Sequence, residues 1–165
     1  MQSRMSVPQS LLHWDKLITG AAVTSVTTNG EVTLDGNAHG GYFFDWIFVA
    51  AAGTPSMAMY YNNDQVITNY NRVVFYIAWY NDAYIHHNPL PTSATIRIVG
   101  SIEITANGFI NAGGTAMSLG GSTAEGIVIG HNKKQTVTNL TRIDIVSNVA
   151  NSIGINSRFR LWRRI

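Results

Sequence analysis

The segment Thr95–Thr105 alternates strictly. Ile96, Ile98, Ile102 and Ile104 fall on one face with Gly100 in their row, and Thr95, Arg97, Val99, Ser101, Glu103 and Thr105 fall on the other. A period of two is what a half-buried β-strand requires, and a helix would scatter those isoleucines around its axis. Gly100 in the apolar row marks an expected bulge or close approach. Arg72–Tyr80 reads as a second long strand, with Val73, Phe75, Ile77 and Trp79 as its core stripe. Further strand candidates are Leu11–Ile18, Ala22–Thr28, Glu31–Leu34, Met57–Tyr61, Gln65–Asn69, Glu125–Gly130, Thr138–Val146 and Ser152–Trp162. Turn signals such as Asn29-Gly30, Asp35-Gly36, Asn62-Asn63-Asp64 and Asn107-Gly108 punctuate them. Short strands with regular punctuation predict an all-β, antiparallel β-sandwich, jelly-roll-like, of about 8–10 strands.

A chain of 165 residues has room for one such domain, placed at residues 11–165. Residues 1–10 lack periodicity, contain Pro8 and read as an extended N-terminal arm. The glycine-rich Asn111–Thr123 reads as a long mobile surface loop. Only 12% of residues are charged, about half the usual 25%. Gly, Asn and Thr, at 15 each, take their place. That mixture excludes a helical protein and a disordered one. It leaves a surface wet by amides and hydroxyls, or partly covered by partners. There is no cysteine, so disulfides and thiolate chemistry are excluded. No apolar run reaches the roughly 20 residues that span a bilayer, and the polar start shows no targeting core. The expectation is a soluble protein without an export signal.

Tyr42–Ala50 is apolar on both faces apart from Asp45. Tyr42, Phe44, Trp46 and Phe48 point one way, and Phe43, Ile47 and Val49 point the other. A sandwich strand meets the core with one face only, so the second face needs a cover. The alternation does not say which set is core; Tyr42, Phe44, Trp46 and Phe48 stand as partner-contact candidates. Asp45, among aromatics, is expected to pair with an arginine or to meet a subunit boundary.

Charge collects at the end. Arg158, Arg160, Arg163 and Arg164 lie within the last eight positions, leaving the rest of the chain with 7 basic and 9 acidic residues. On a final strand Arg158, Arg160 and Trp162 would face outward, opposite Ile153, Ile155, Phe159 and Leu161. Guanidinium forks beside an aromatic anchor are typical of interface hot spots. Arg158, Arg160, Trp162, Arg163 and Arg164 are therefore the second set of partner-contact candidates, expected to meet acidic partner surface.

Catalytic constellations are missing from the sequence. No spacing selects a carboxylate pair among the nine acids. His86-His87 would point to opposite faces of a strand, and no Gly-x-Ser-x-Gly elbow occurs. Asn62-Asn63-Asp64 lacks the later glycine and glutamate of a calcium loop. No enzymatic activity, metal or cofactor is expected, nor direct nucleic-acid or membrane binding. Asn and Tyr clusters such as Tyr80-Asn81-Asp82-Ala83-Tyr84 leave a glycan-binding module as an alternative.

The C-terminal stretches Leu140-Thr141-Arg142-Ile143-Asp144-Ile145-Val146 and Ile155-Asn156-Ser157-Arg158-Phe159-Arg160-Leu161-Trp162-Arg163-Arg164-Ile165 resemble the ending of many tailed-bacteriophage virion proteins. Those close with Ile-x-x-Ile, a short glycine-containing turn, then Gly-Ser-x-hydrophobic-x-Leu-Tyr-Gly-Ile. Asn156 here replaces the glycine before Ser157, and Trp162 stands at the tyrosine. Met59-Tyr60-Tyr61-Asn62-Asn63-Asp64 running on to Asn69-Tyr70 resembles their aromatic middle, so the likeness spans most of residues 11–165. The resemblance implies a jelly-roll structural protein of the virion, often trimeric: a capsid decoration (cement) protein bound to the major capsid protein, or a tail or receptor-binding module.

Overall fold

The computed structural model describes residues 12–53, 55–74, 78–80, 84–86, 95–119 and 126–164. The expected N-terminal arm and the His87–Pro91 loop lie outside them. Twelve strands are formed by these residues: β1 (Leu12–Leu17), β2 (Ser25–Thr27), β3 (Tyr42–Val49), β4 (Met57–Tyr61), β5 (Tyr70–Val74), β6 (Ala78–Tyr80), β7 (Tyr84–His86), β8 (Thr95–Ile104), β9 (Ile110–Leu119), β10 (Gly126–Lys133), β11 (Ile143–Ser147) and β12 (Arg158–Arg163). One helical turn, α1 (Gly36–His39), starts at Asp35, whose carboxylate accepts the Ala38 N–H at 3.0 Å.

The strands build an antiparallel β-sandwich. The larger sheet runs β1-β12-β3-β8-β9-β10-β5-β6 and the smaller β2-β11-β4-β7. Without the pairs β5–β6 and β9–β10, eight strands remain, split four and four as β1-β12-β3-β8 and β2-β11-β4-β7. Successive strands then cross between sheets, except β4 and β7, which pair within the smaller sheet, and the first and last lie side by side. That is the double Greek key of a jelly roll. The two extra pairs join each other through β10 and β5 and lengthen the larger sheet. The count of twelve exceeds the expected range because of these insertions.

Several expected elements take a different form. Arg72–Tyr80 is not one strand: β5 ends at Val74 and β6 pairs back onto it with Tyr80 opposite Arg72. Asn111–Thr123 is not a loop through its first part, because β9 runs to Leu119 between β8 and β10. Gly113 and Gly114 lie opposite Ser101 and Gly100 of β8, so they serve close backbone approach. Glu31–Leu34 forms no strand. Gln65–Asn69 becomes a 3₁₀ turn at Ile67–Asn69, held by the Asp64 carboxylate, which accepts from Val66 N at 3.2 Å and from Asn69 Nδ2.

The core lies between the sheets, and Tyr42, Trp46, Phe48, Met57, Met59, Ile98, Ile102 and Phe159 are fully buried or nearly so. Phe44 and Trp46 stack at 4.3 Å between centroids, and Phe48 meets Phe159 edge-on at 5.1 Å. The set Tyr42, Phe44, Trp46 and Phe48 is therefore core, not partner contact. β3 sits inside the larger sheet, and turning four of its five aromatic side chains toward the smaller sheet removes the most apolar area from water.

Strand β12 is shorter than Ser152–Trp162. Asn156 adopts φ +71°, a left-handed turn that breaks the alternation, and Ile155 is exposed while Ile153, Phe159 and Leu161 are buried. Ser157 is fully buried, and its Oγ accepts the Val49 N–H at 2.9 Å. Its carbonyl accepts from Ile18 N at 2.9 Å, and Asn156 N donates to Ile18 O at 2.8 Å. This short stretch thus ties the ends of β1 and β3 to the start of β12.

Candidate interaction surface

The outer face of the larger sheet is organised by register into three rows. The first runs Leu12, Trp162, Phe43, Ser101 and Gly113. The second runs Asp15, Arg160, Asp45, Val99 and Thr115, and the third Leu17, Arg158, Ile47, Arg97 and Met117. Phe43 and Met117 are each 50% exposed, and Leu12, Leu17 and Val99 are exposed too. Large apolar side chains thus occupy all three rows. Leu12, Trp162 and Phe43 are successive across three neighbouring strands and form a contiguous apolar strip, and contiguity is what distinguishes a patch from singly scattered apolar residues.

The charges between them are already paired. Asp45 accepts from Arg97 Nε at 2.8 Å and Nη2 at 3.0 Å, and from Arg160 Nη2 at 2.5 Å. The two guanidinium groups cover it, so Asp45 is 6% exposed although it belongs to the outer face. Asp15 holds Arg158 in a two-pronged pair at 2.8 and 2.5 Å. That hydrogen bond keeps the Asp15 carboxyl below its usual range and raises Arg158. Arg160 also lies over the Trp162 ring at 5.6 Å. Arg164 reaches Glu103 Oε2 at 2.7 Å.

The expected pairing of Asp45 with arginine is present. The terminal arginines have partners within the chain: Arg158, Arg160 and Arg164 direct their forks to carboxylates of this chain, and Arg163 lies at the sheet's end near His13 and Tyr42. Trp162 does stand on the outer face. Phe43 belongs to the face of β3 whose role the alternation left open, and Leu12, Leu17, Val99 and Met117 were missed. Their signal was the outward half of the same alternation, which cannot be seen until the inward half is known.

Two other clusters are structural. Lys133, buried in β10, pairs with Asp64 and lies 5.1 Å over the Tyr70 ring. Tyr70 donates its hydroxyl to Asp64 O at 2.7 Å and accepts from Tyr61 N at 3.0 Å, while Tyr61 Oη lies 3.1 Å from His131 Nδ1. With Lys133 and Asn69 on it, the Asp64 carboxylate is committed to the fold rather than open to a cation. At the other edge His13 and His39 meet ring to ring at 4.9 Å beside Tyr42, whose hydroxyl is 2.7 Å from His39 Nδ1. Among the described residues no three His, Cys, Asp or Glu converge on a metal-sized site. No described helix is long and apolar enough to cross a membrane.

Comparison with known proteins returns no match, whether to family models, to curated protein sequences or to solved structures.

Proposed function

We propose that this chain is a non-enzymatic structural protein of a tailed-bacteriophage particle. Within it, the chain acts as a trimeric decoration protein that binds the major capsid protein lattice and strengthens it by bridging subunits. The observation that carries this reading is the outer sheet face, where Phe43, Trp162, Leu12, Leu17, Val99 and Met117 surround charges that each have a partner within the chain, Arg97 and Arg160 sharing Asp45 and Arg158 holding Asp15, with one positive charge in excess. A partner can dock on such a face without stranding an unpaired charge, which is the costly event in burying polar surface. A standard interface hides about 1,600 Å², and repetition around a symmetric shell turns individually weak contacts into avidity. The mechanism is thus apolar burial, in place of arginines seeking acidic surface.

The resemblance of the C-terminus to virion proteins gains a physical reason. Asn156 stands at φ +71°, a conformation for which glycine and asparagine are the favoured residues. The replacement of glycine by Asn156 therefore preserves the turn, and Ser157 keeps the buried hydrogen bond that the turn serves.

The test is binding of purified protein to undecorated capsids. Phe43→Ser combined with Met117→Ser should lower particle occupancy about tenfold or more, because apolar interface anchors carry most of the affinity. Both positions are exposed, so unfolding free energy should move by no more than about 0.5 kcal/mol. Electron microscopy of intact particles should show the protein on the shell. Undiminished occupancy of the double variant, or density confined to the tail, overturns the reading.

A further inference from the structure

At one end of the sandwich the β8–β9 hairpin, the chain after β10 and the start of α1 enclose an open cleft of about 470 Å³. Its lining has one chemical character. Asn37, Thr105, Asn107, Thr136 and Thr138 supply carboxamides and hydroxyls, and Ile104, Ala106 and Val137 supply apolar patches between them. Among the described residues no charged one lines it.

The walls are tied together before any ligand arrives. Gly108 takes φ +81°, and a Cβ there would stand 2.6 Å from Val137 O, so only glycine lets the two walls approach this closely. Across that approach Val137 N donates to Gly108 O at 2.8 Å. The hairpin closes on itself through Gly108 N to Thr105 O at 2.8 Å and Phe109 N to Thr105 Oγ1 at 3.1 Å. Asn37 is fixed by its backbone N–H on Asn139 Oδ1 at 2.9 Å and its Nδ2 on Thr138 O at 2.6 Å. By contrast, the side chains of Asn107, Thr136 and Thr138 make no hydrogen bond within the described residues and remain available to a ligand.

We infer that this cleft binds an uncharged saccharide of one or two rings. Volumes of this order suit a small ligand. Neutral hydroxyls and carboxamides match sugar hydroxyls as both donors and acceptors. A cleft without charge gives an anion or a cation nothing to neutralise it, and the apolar patches fit the C–H faces of a pyranose ring. Pre-tied walls reduce the ordering cost of binding. The site lies away from the outer face of the larger sheet, so it stands or falls independently of the capsid reading.

The experiment titrates the isotope-labelled protein with a panel of neutral sugars (glucose, galactose, mannose, N-acetylglucosamine, lactose and maltose), with sialyllactose as the charged control. Backbone amide shifts are followed by NMR. At least one neutral sugar should give saturable shifts confined to Thr105–Phe109 and Thr136–Asn139 at millimolar concentration. Asn107→Ala and Thr138→Val should each weaken that affinity about tenfold, the loss of roughly one hydrogen bond at 1.4 kcal/mol. Both positions are exposed, and an otherwise unchanged amide spectrum verifies their fold. Absence of shifts with every sugar, shifts elsewhere, or unchanged affinity in both variants overturns the inference.

Discussion

The ring of Phe44 lies across Gly100, its register partner on the next strand, with Phe44 Cζ 2.7 Å from where a Cβ on Gly100 would stand. Gly100 in turn faces Gly114 of β9, whose Cα would be 2.8 Å from that same Cβ. Two opposed glycines let the backbones approach, and the aromatic ring fills the space their missing side chains leave. This use of an aromatic over strand glycines keeps a weak spot in the sheet packed. It also explains the glycine in an otherwise unbroken isoleucine row.

Gly100→Ala should therefore destabilise the fold by about 3 kcal/mol through overpacking. Chemical unfolding should show an earlier midpoint with an unchanged slope. Adding Phe44→Leu should not rescue it, because the nearest obstacle is the backbone carbonyl of Gly113, which cannot rotate aside. Recovery in the double variant would show that the ring alone sets the constraint.

Asp45→Ala should cost about 2 kcal/mol or more, because it leaves Arg160 partly buried without its carboxylate. Arg164→Ala, which breaks a pair exposed on both sides, should change stability by less than about 1 kcal/mol. Thermal unfolding of the two variants side by side measures the contrast. Equal losses would mean that the Asp45 network contributes no more than a surface pair.

At the β12 turn, Asn156→Gly should be neutral within about 0.5 kcal/mol, while Asn156→Ala should cost about 1–2 kcal/mol for a Cβ in the left-handed region. Ser157→Ala should cost about 1–3 kcal/mol by stranding the Val49 N–H. If Asn156→Ala proved as stable as the parent, the turn would not be under the strain that its φ implies.

Stability should fall with acid in two windows. Burial lowers the His13 pKa from 6.5, helped by His39 and Arg163 and opposed by the hydrogen bond to Thr33. As pH drops below 6.5 the unfolded chain takes up a proton that the folded chain resists, so unfolding becomes easier. Asp15 is held below 3.8 by Arg158. Asp64 is also below 3.8, since Lys133 and Asn69 outweigh the upward push of burial. Their stabilisation is complete above 3.8 and is lost as pH falls through the lower folded values. Melting temperature against pH should show both declines, and His13→Gln should flatten only the upper one. A His13→Gln curve that overlays the parent's would assign that window to another group.

The strand class and several faces were legible because period-two alternation is a local property. Ile96, Ile98 and Ile102 are buried while Arg97 and Val99 are exposed, as the Thr95–Thr105 pattern requires, and Met57–Tyr61 forms β4 with the expected bounds. The candidate surface was legible only in Trp162 and in the pairing of Asp45 with arginine. Where a turn was hidden in an alternating run, as at Asn156 or between β5 and β6, the pattern overran the strand. Alternation cannot register a left-handed residue or a reversal of direction.

By itself, then, the amino-acid order determined that this chain forms an antiparallel sandwich of short strands with a charge-poor surface. Which side of β3 is core, which carboxylate takes which arginine, and that Asn111–Leu119 belongs to a strand were decided only by tertiary structure. The physical reason is common to all three. A side chain's facing is set by its own backbone, but its partner is set by register with a strand distant in sequence. The Asp15–Arg158 pair, for instance, joins residues from opposite ends of the described chain.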